Sequence, residues 1–143
     1  MGNLSKSKTA LGIAFVVLAQ GVTVQKLGRF YGPTNNGTHE IRIIDAATKQ
    51  ELGTATVNPA SEDLNGFKYG SVAPSGVPLQ ANGRYFVMSH EKLGGDTFLT
   101  QDTVLTAFRA EAKVESAIES VTLVVFSTAG GPDHAYGPVN FQF

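Results

Sequence analysis

Thr106-Ala-Phe-Arg-Ala-Glu-Ala-Lys-Val-Glu115 is the stretch that decides the fold class. Ala, Glu, Lys and Arg all favour helices. However, apolar and charged side chains alternate here with a period of two, and this period places each set on its own face of a strand. The stretch therefore predicts a strand with one face buried and the other in water, as in an antiparallel sandwich. The apolar set is Phe108, Ala110, Ala112 and Val114, and the charged set is Arg109, Glu111, Lys113 and Glu115.

The same alternation recurs along most of the chain, and turn signals divide it into a meander of about nine strands. The proline, glycine and asparagine residues of segment 32–37, and the pair Asn82-Gly83, favour turns. Pro78 excludes a central strand over residues 73–78, and segment 58–65 is polar and predicts a loop. The predicted strands cover residues 10–18, 22–31, 39–45, 52–57, 67–72, 84–89, 103–114, 121–127 and 139–143, with a short strand near 97–99.

This spacing of strands and turns predicts an all-β chain folded as an antiparallel β-sandwich of the jelly-roll type. At 143 residues the chain has the length of one domain and can bury a core without a disulfide or a metal. We expect residues 10–143 to form a single module, which is a monomer when isolated.

Composition excludes several classes of function. The chain has no cysteine, so it cannot form a disulfide, a thiolate zinc site, an iron–sulfur cluster or a cysteine nucleophile. Its formal net charge of −1 gives no basic stripe for nucleic acid. It has no run of about 18 apolar residues, so no membrane insertion is expected.

The N-terminus resembles a signal peptide, because Lys6-Ser7-Lys8 precedes an apolar run that ends near Ala19. The alternative is a first strand that follows a short polar tail. Gly12 in the middle of the run, and Gln20-Gly21 at its end, favour the strand. We therefore interpret residues 1–9 as a flexible tail.

Several segments resemble a family of bacterial β-sandwich modules of unassigned function that recur in secreted, surface-attached and carbohydrate-active proteins. The resemblance implies a jelly-roll-like fold and an accessory role outside the cytoplasm, and it carries over no catalytic residue. Where the family often has a tryptophan, this chain has Ile44. The segments are Leu11-Gly-Ile-Ala-Phe-Val-Val17, Val22-Thr-Val-Gln-Lys-Leu-Gly-Arg-Phe30, His39-Glu-Ile-Arg-Ile-Ile-Asp45, Leu52-Gly-Thr-Ala-Thr-Val57, Gly66-Phe-Lys-Tyr69, residues 79–85 and Gly137-Pro-Val-Asn-Phe141.

The sequence contains no catalytic constellation. The three histidines have no metal-site spacing, and no serine lies in a nucleophile-elbow frame. His39 is predicted to be hydrogen-bonded at a sheet end, and His90 to face solvent. The metal that the sequence suggests is a structural calcium ion, for which Asn36, Asp96 and Asp133 are candidate loop ligands. The alternative is that these residues only solvate turns.

Polar and aromatic loop residues instead suggest sugar recognition, in which aromatic rings stack on pyranose faces while polar groups bind hydroxyls. The chain has no tryptophan, but Tyr31 and Tyr136 lie beside loop glycines. His134, in the same glycine-rich loop as Tyr136, and Arg29, on the strand that leads to Tyr31, are the predicted polar contacts.

The sequence therefore predicts a non-catalytic, polysaccharide-binding accessory module of a secreted or surface protein, located outside the cell or on its surface. Its expected partner is a glycan or another cell-surface component. The alternative is a structural spacer or adhesion domain with no small-molecule site. A structure can discriminate between them, because a binding module needs its aromatic and polar residues to converge in one groove.

Overall fold

A computed structural model describes residues 10–64, 66–73, 75–91, 96, 112–120, 126–128 and 139–143. These residues contain no helix, so none of them forms an apolar helix that could cross a membrane. They form twelve strands: β1 (Ala10–Val17), β2 (Val22–Val24), β3 (Lys26–Phe30), β4 (His39–Asp45), β5 (Glu51–Val57), β6 (Glu62–Leu64), β7 (Phe67–Ser71), β8 (Val77–Leu79), β9 (Arg84–His90), β10 (Ala112–Ser120), β11 (Phe126–Thr128) and β12 (Val139–Gln142).

All strand pairs are antiparallel, as the sequence predicts. A six-stranded sheet has the order β11-β10-β1-β9-β4-β5, a four-stranded sheet has the order β12-β3-β7-β6, and β2 pairs with β8. The predicted hairpin of β4 and β5 is present. The chain is not a simple meander, however, because β1 lies between β9 and β10.

The main core lies between the two larger sheets, consistent with a β-sandwich. Ile13, Phe15 and Val17 of β1 point into it, as their alternation predicts. The Phe15 ring stacks on Phe141 of the opposite sheet with 4.5 Å between ring centroids. Burying aromatic and branched side chains on both inner faces provides the main force that holds the layers together.

The stretch that decides the fold class is described from Ala112 onward, and that part is a strand. Ala112 and Val114 are buried while Lys113 is exposed, which confirms the alternation there. The strand continues to Ser120, beyond the predicted end. Residues 106–111 lie outside the described residues.

The outer face of the six-stranded sheet is not simply solvated near its centre. A second apolar cluster lies there, and it includes Ile44, Phe86 and Met88. Ile44 is thus buried and not available to a ligand, since it is 3% exposed.

Two predicted boundaries are wrong for identifiable reasons. The predicted strand over residues 22–31 divides at Gln25, where the chain passes from the β2–β8 pair to the four-stranded sheet. The Gln25 amide donates to the Gln142 carbonyl there. The predicted loop over residues 58–65 contains β6, an exposed strand whose Asp63 pairs with Lys68. A strand without buried residues leaves no hydrophobic alternation to detect.

Candidate functional site

A cavity of about 400 Å³ lies at one end of the sandwich, where β4 begins and β9 ends. Because these strands are antiparallel neighbours, the start of one and the end of the other meet at the same edge. Four of the lining residues are exposed and polar, namely Asn36, Thr38, Glu40 and His90. The remaining lining residues are Gly37, His39 and Asp96.

A buried ion pair joins the two sheets beneath this cavity. Arg29 comes from β3 of the four-stranded sheet, and Glu91 directly follows β9 of the six-stranded sheet. The Arg29 Nε and Nη2 atoms donate to the two Glu91 carboxylate oxygens at 2.8 and 2.7 Å. The two side chains are 0% and 1% exposed. Such a bidentate pair fixes the relative orientation of the two side chains and also neutralises their charges.

The remaining polar groups around this ion pair are also satisfied. The Ser89 hydroxyl donates to Glu91 Oε1 at 2.6 Å, and Arg29 Nη1 donates to the Phe30 carbonyl. A buried pair is tolerated when additional hydrogen bonds satisfy its polar atoms. Arg29 therefore offers no free group to a ligand in the cavity and instead holds the floor beneath it.

His39 connects the ion pair to the cavity wall. Its Nδ1 atom lies 3.2 Å from the His90 carbonyl and 3.5 Å from Glu91 Oε1, and its Nε2 atom lies 3.0 Å from Asp96 Oδ2. The prediction of a hydrogen-bonded histidine at a sheet end is confirmed. Both ring nitrogens are occupied, so neither is available to coordinate a metal or to accept a substrate proton.

Asp96 fixes the loop that forms the cavity rim. Its carboxylate accepts hydrogen bonds from the backbone amides of Asn36 at 3.0 Å and Gly37 at 2.7 Å. A Cβ atom at Gly37 would lie 2.9 Å from Asp96 Oδ2, so an added methyl group would displace the Asp96 carboxylate. Burial alone would raise the pKa of Asp96, but the hydrogen bonds from His39, Asn36 and Gly37 lower it to about 2.

The contribution of Asp96 to stability should depend on pH. Because its pKa lies below the usual 3.8 in the folded state, the stabilisation is complete above that value and is lost as the pH falls to about 2. We expect the loss to amount to about 1–2 kcal/mol, after allowance for solvent screening. Urea unfolding at successive pH values should show a smaller acid loss in Asp96→Asn than in the wild type.

The exposed Asp63 provides the matched control for this pH series. A hydrogen bond from Lys68 lowers the pKa of Asp63 in the same direction, but this carboxylate lies at the surface. Asp63→Asn should therefore leave the acid branch of the stability curve close to that of the wild type. Equal effects of the two variants would show that Asp96 does not hold the loop as described.

Tyr31 supports the same loop from below. Its hydroxyl lies 2.5 Å from the Gly37 carbonyl and donates to it, and its ring contacts His39 edge-on with 5.9 Å between centroids. The Arg29 guanidinium lies 5.6 Å from the Tyr31 ring centroid. Burial raises the pKa of Tyr31 to about 12, although the nearby Arg29 opposes this shift.

The structure thus brings four of the predicted site residues to one end of the sandwich: Arg29, Tyr31, Asn36 and Asp96. The other three, Asp133, His134 and Tyr136, lie outside the described residues. Sequence reasoning did not single out Glu91 or Ser89. The only signal for Glu91 was an acidic residue directly after an apolar strand, and this pattern is typical of an ordinary strand end.

A second cavity of about 330 Å³ lies at the opposite end of β4 and β9. Its charged groups are engaged in local structure. The Asp45 carboxylate accepts hydrogen bonds from the turn amides of Ala47 and Thr48, and Arg84 pairs with Glu115. The first cavity is therefore the better candidate site, since its exposed rim is polar and its floor is internally bonded.

The described ranges contain no group of three histidine or acidic side chains placed to hold a metal ion. The Asp96 oxygens face N–H donors, which is unlike a calcium site. No family model, curated protein or solved structure matches this chain. Its function therefore has to be inferred from the residues of this site.

Proposed function

We propose that the chain is a non-catalytic accessory module that binds a carbohydrate in the cavity at the β4–β9 end. It would belong to a secreted or surface protein, with a jelly-roll-like arrangement of its sandwich. The observation that carries the proposal is a cavity of about 400 Å³ whose exposed rim is polar and whose floor is internally hydrogen-bonded. Neither nucleic acid nor a membrane interior is an expected partner.

The rim offers the groups that sugar hydroxyls bind. The Asn36 amide, the Thr38 hydroxyl, the Glu40 carboxylate and the His90 imidazole provide both donors and acceptors. The cavity volume lies within the range of about 300–1,000 Å³ that is common for small-ligand sites. Because Asp96 already fixes the rim loop, binding would need little ordering of that segment.

The internal bonding of the site favours binding over catalysis. Both His39 nitrogens are occupied, and the Ser89 hydroxyl donates to Glu91 instead of to a histidine. A nucleophile requires an adjacent base that can take its proton. Within the described ranges the site offers no such pair.

The roles of the predicted contacts differ in this proposal. Arg29 and Tyr31 support the cavity, and Thr38 and His90 become the expected direct contacts. His134 and Tyr136 stay predicted contacts, because they lie outside the described residues. An aromatic ring from that loop would supply the stacking surface on which sugar recognition depends.

The proposal predicts that Thr38→Ala combined with His90→Ala abolishes retention on a polysaccharide without loss of folding. Removing two hydrogen-bonding groups should weaken binding by about tenfold or more. Affinity electrophoresis over a broad panel of polysaccharides, with a melting curve for each variant, measures both quantities. Thr23→Ala on β2 is the matched control, since Thr23 is exposed and does not line the cavity.

The alternative is a spacer or adhesion domain. The contacts of Tyr31 support this alternative. Its hydroxyl bonds to the Gly37 carbonyl and its ring packs on His39, so this tyrosine is not an open surface on which a sugar could stack. A spacer would show no retention by any member of the panel, whereas a binding module should be retained by at least one. If the double variant were retained as strongly as the wild type, the binding site would lie elsewhere on the chain.

A further inference from the structure

Arg29 and Arg42, the two arginines described near the cavity, are both paired with carboxylates. Arg29 is 0% exposed and uses two of its nitrogens on Glu91. Arg42 lies 3.3 Å from Glu40 and 3.6 Å from Glu51. Among the described lining residues there is no lysine or arginine. A negatively charged ligand would therefore meet no guanidinium or ammonium group among those described residues.

Carboxylates outnumber guanidiniums around the cavity. The described lining residues include two carboxylates, on Glu40 and Asp96, and no guanidinium or ammonium group. The charge carried by the carboxylates of these lining residues is negative, which favours a positively charged ligand.

Glu40 is the more exposed of the two described carboxylates that line the cavity. Both oxygens of Asp96 already accept hydrogen bonds from backbone amides and His39. The side chain of Glu40 is 52% exposed, and its ion-pair partner Arg42 has Glu51 as a second partner. A ligand ammonium group can therefore approach Glu40 without stripping Arg42 of its only counter-charge.

We propose that the cavity selects saccharides that carry a protonated amine, accepts neutral saccharides more weakly, and disfavours uronates and sulfated sugars. Glu40 is the specificity-determining residue of this preference. The inference rests on the proposed function, because it names the ligand class of the same cavity. Its physical basis is charge complementarity at a partly exposed carboxylate.

Three matched series of oligosaccharides test the preference by calorimetric titration at near-neutral pH. These are glucosamine oligomers, their N-acetylated counterparts and uronate oligomers of equal length. We expect the amine series to bind about fivefold more tightly than the acetylated series, and the uronates to bind about fivefold more weakly. High salt screens exposed charges. It should therefore bring the amine-to-acetyl affinity ratio and the acetyl-to-uronate affinity ratio closer to one.

Glu40→Gln removes the charge while keeping the size of the side chain. It should bring the amine-to-acetyl affinity ratio to about one, whatever the change in affinity for the acetylated series. Glu62→Gln on β6 is the control, because Glu62 is exposed and does not line the cavity. That variant should retain the wild-type ratio.

The outcomes separate this preference from the proposed function. Equal binding of the three series, tighter binding of uronates, or an unchanged ratio in Glu40→Gln would overturn the preference and leave carbohydrate binding intact. Absence of binding in all three series and across the polysaccharide panel would overturn the proposed function, and the preference with it.

Discussion

Glu91→Gln is expected to lower the free energy of unfolding by about 3–5 kcal/mol, because it leaves the Arg29 guanidinium buried without a counter-charge. Arg29 is fully buried and makes two short hydrogen bonds to Glu91. Because glutamine keeps the size of the side chain, the loss in unfolding free energy comes from the missing charge and hydrogen bonding and not from an empty space in the core. Denaturant unfolding monitored by circular dichroism measures it.

The surface pair Arg84–Glu115 provides the matched control for Glu91→Gln. Its side chains are 59% and 31% exposed, and the guanidinium is also bidentate. Glu115→Gln should therefore cost less than about 1 kcal/mol. A loss of similar size in both variants would show that burial does not amplify the Arg29–Glu91 interaction.

A double replacement separates the net contribution of the Arg29–Glu91 pair to the free energy of unfolding from the penalty of removing only one partner. Arg29→Met with Glu91→Leu removes both charges and should recover most of the stability lost in Glu91→Gln. The same variant would still disturb the cavity, because His39 loses Glu91 as a neighbour. Restored stability with weakened carbohydrate retention would identify the pair as a positioning element of the site.

Gly12→Ala is expected to cost about 3 kcal/mol or more, or to prevent folding, because the added methyl group has no space. A Cβ atom at Gly12 would lie 1.7 Å from the Val87 carbonyl oxygen. Gly12 lies in β1, which is paired on both sides with β9 and β10, so the strand cannot move aside. Thermal unfolding and the yield of folded protein measure the effect.

Gly66→Ala provides the comparison for Gly12→Ala. A Cβ atom at Gly66 would lie 3.7 Å from the Phe30 ring, which is ordinary contact, but the residue has a φ of +85°. Its cost should be about 1–2 kcal/mol, from the left-handed backbone alone. If Gly12→Ala were the milder of the two, the close approach of β1 to β9 would be refuted.

Much of the fold could be predicted from residues that repeat a local pattern. β4 begins and ends at the predicted residues, and β9 and β12 differ from prediction by one residue at an end. β4 has buried residues at alternate positions from His39 to Ile43, and β9 is a run of buried residues that follows the turn signal Asn82-Gly83. Such patterns depend only on neighbours in the chain. β6 has no buried residue, and the sequence therefore did not predict it.

The candidate site was only partly predictable. Arg29 and Tyr31 were singled out as ligand contacts because they flank a loop, whereas in the structure they lie beneath the cavity. Thr38, Glu40 and His90 lie on its exposed rim, and no pattern in the sequence marks them as ligand contacts. A residue type can indicate chemistry, but whether a side chain faces solvent or the core depends on strands distant in the chain.

By itself the sequence determined that this chain is all-β, with antiparallel strands and a core of alternate apolar residues, because side-chain alternation along a strand is a local property. Only the tertiary structure decided that β1 lies between β9 and β10, and that Arg29 meets Glu91, 62 positions away in the chain. The reason is that sheet order and charge pairing are set by which surfaces bury one another, and many strand orders satisfy the same local pattern.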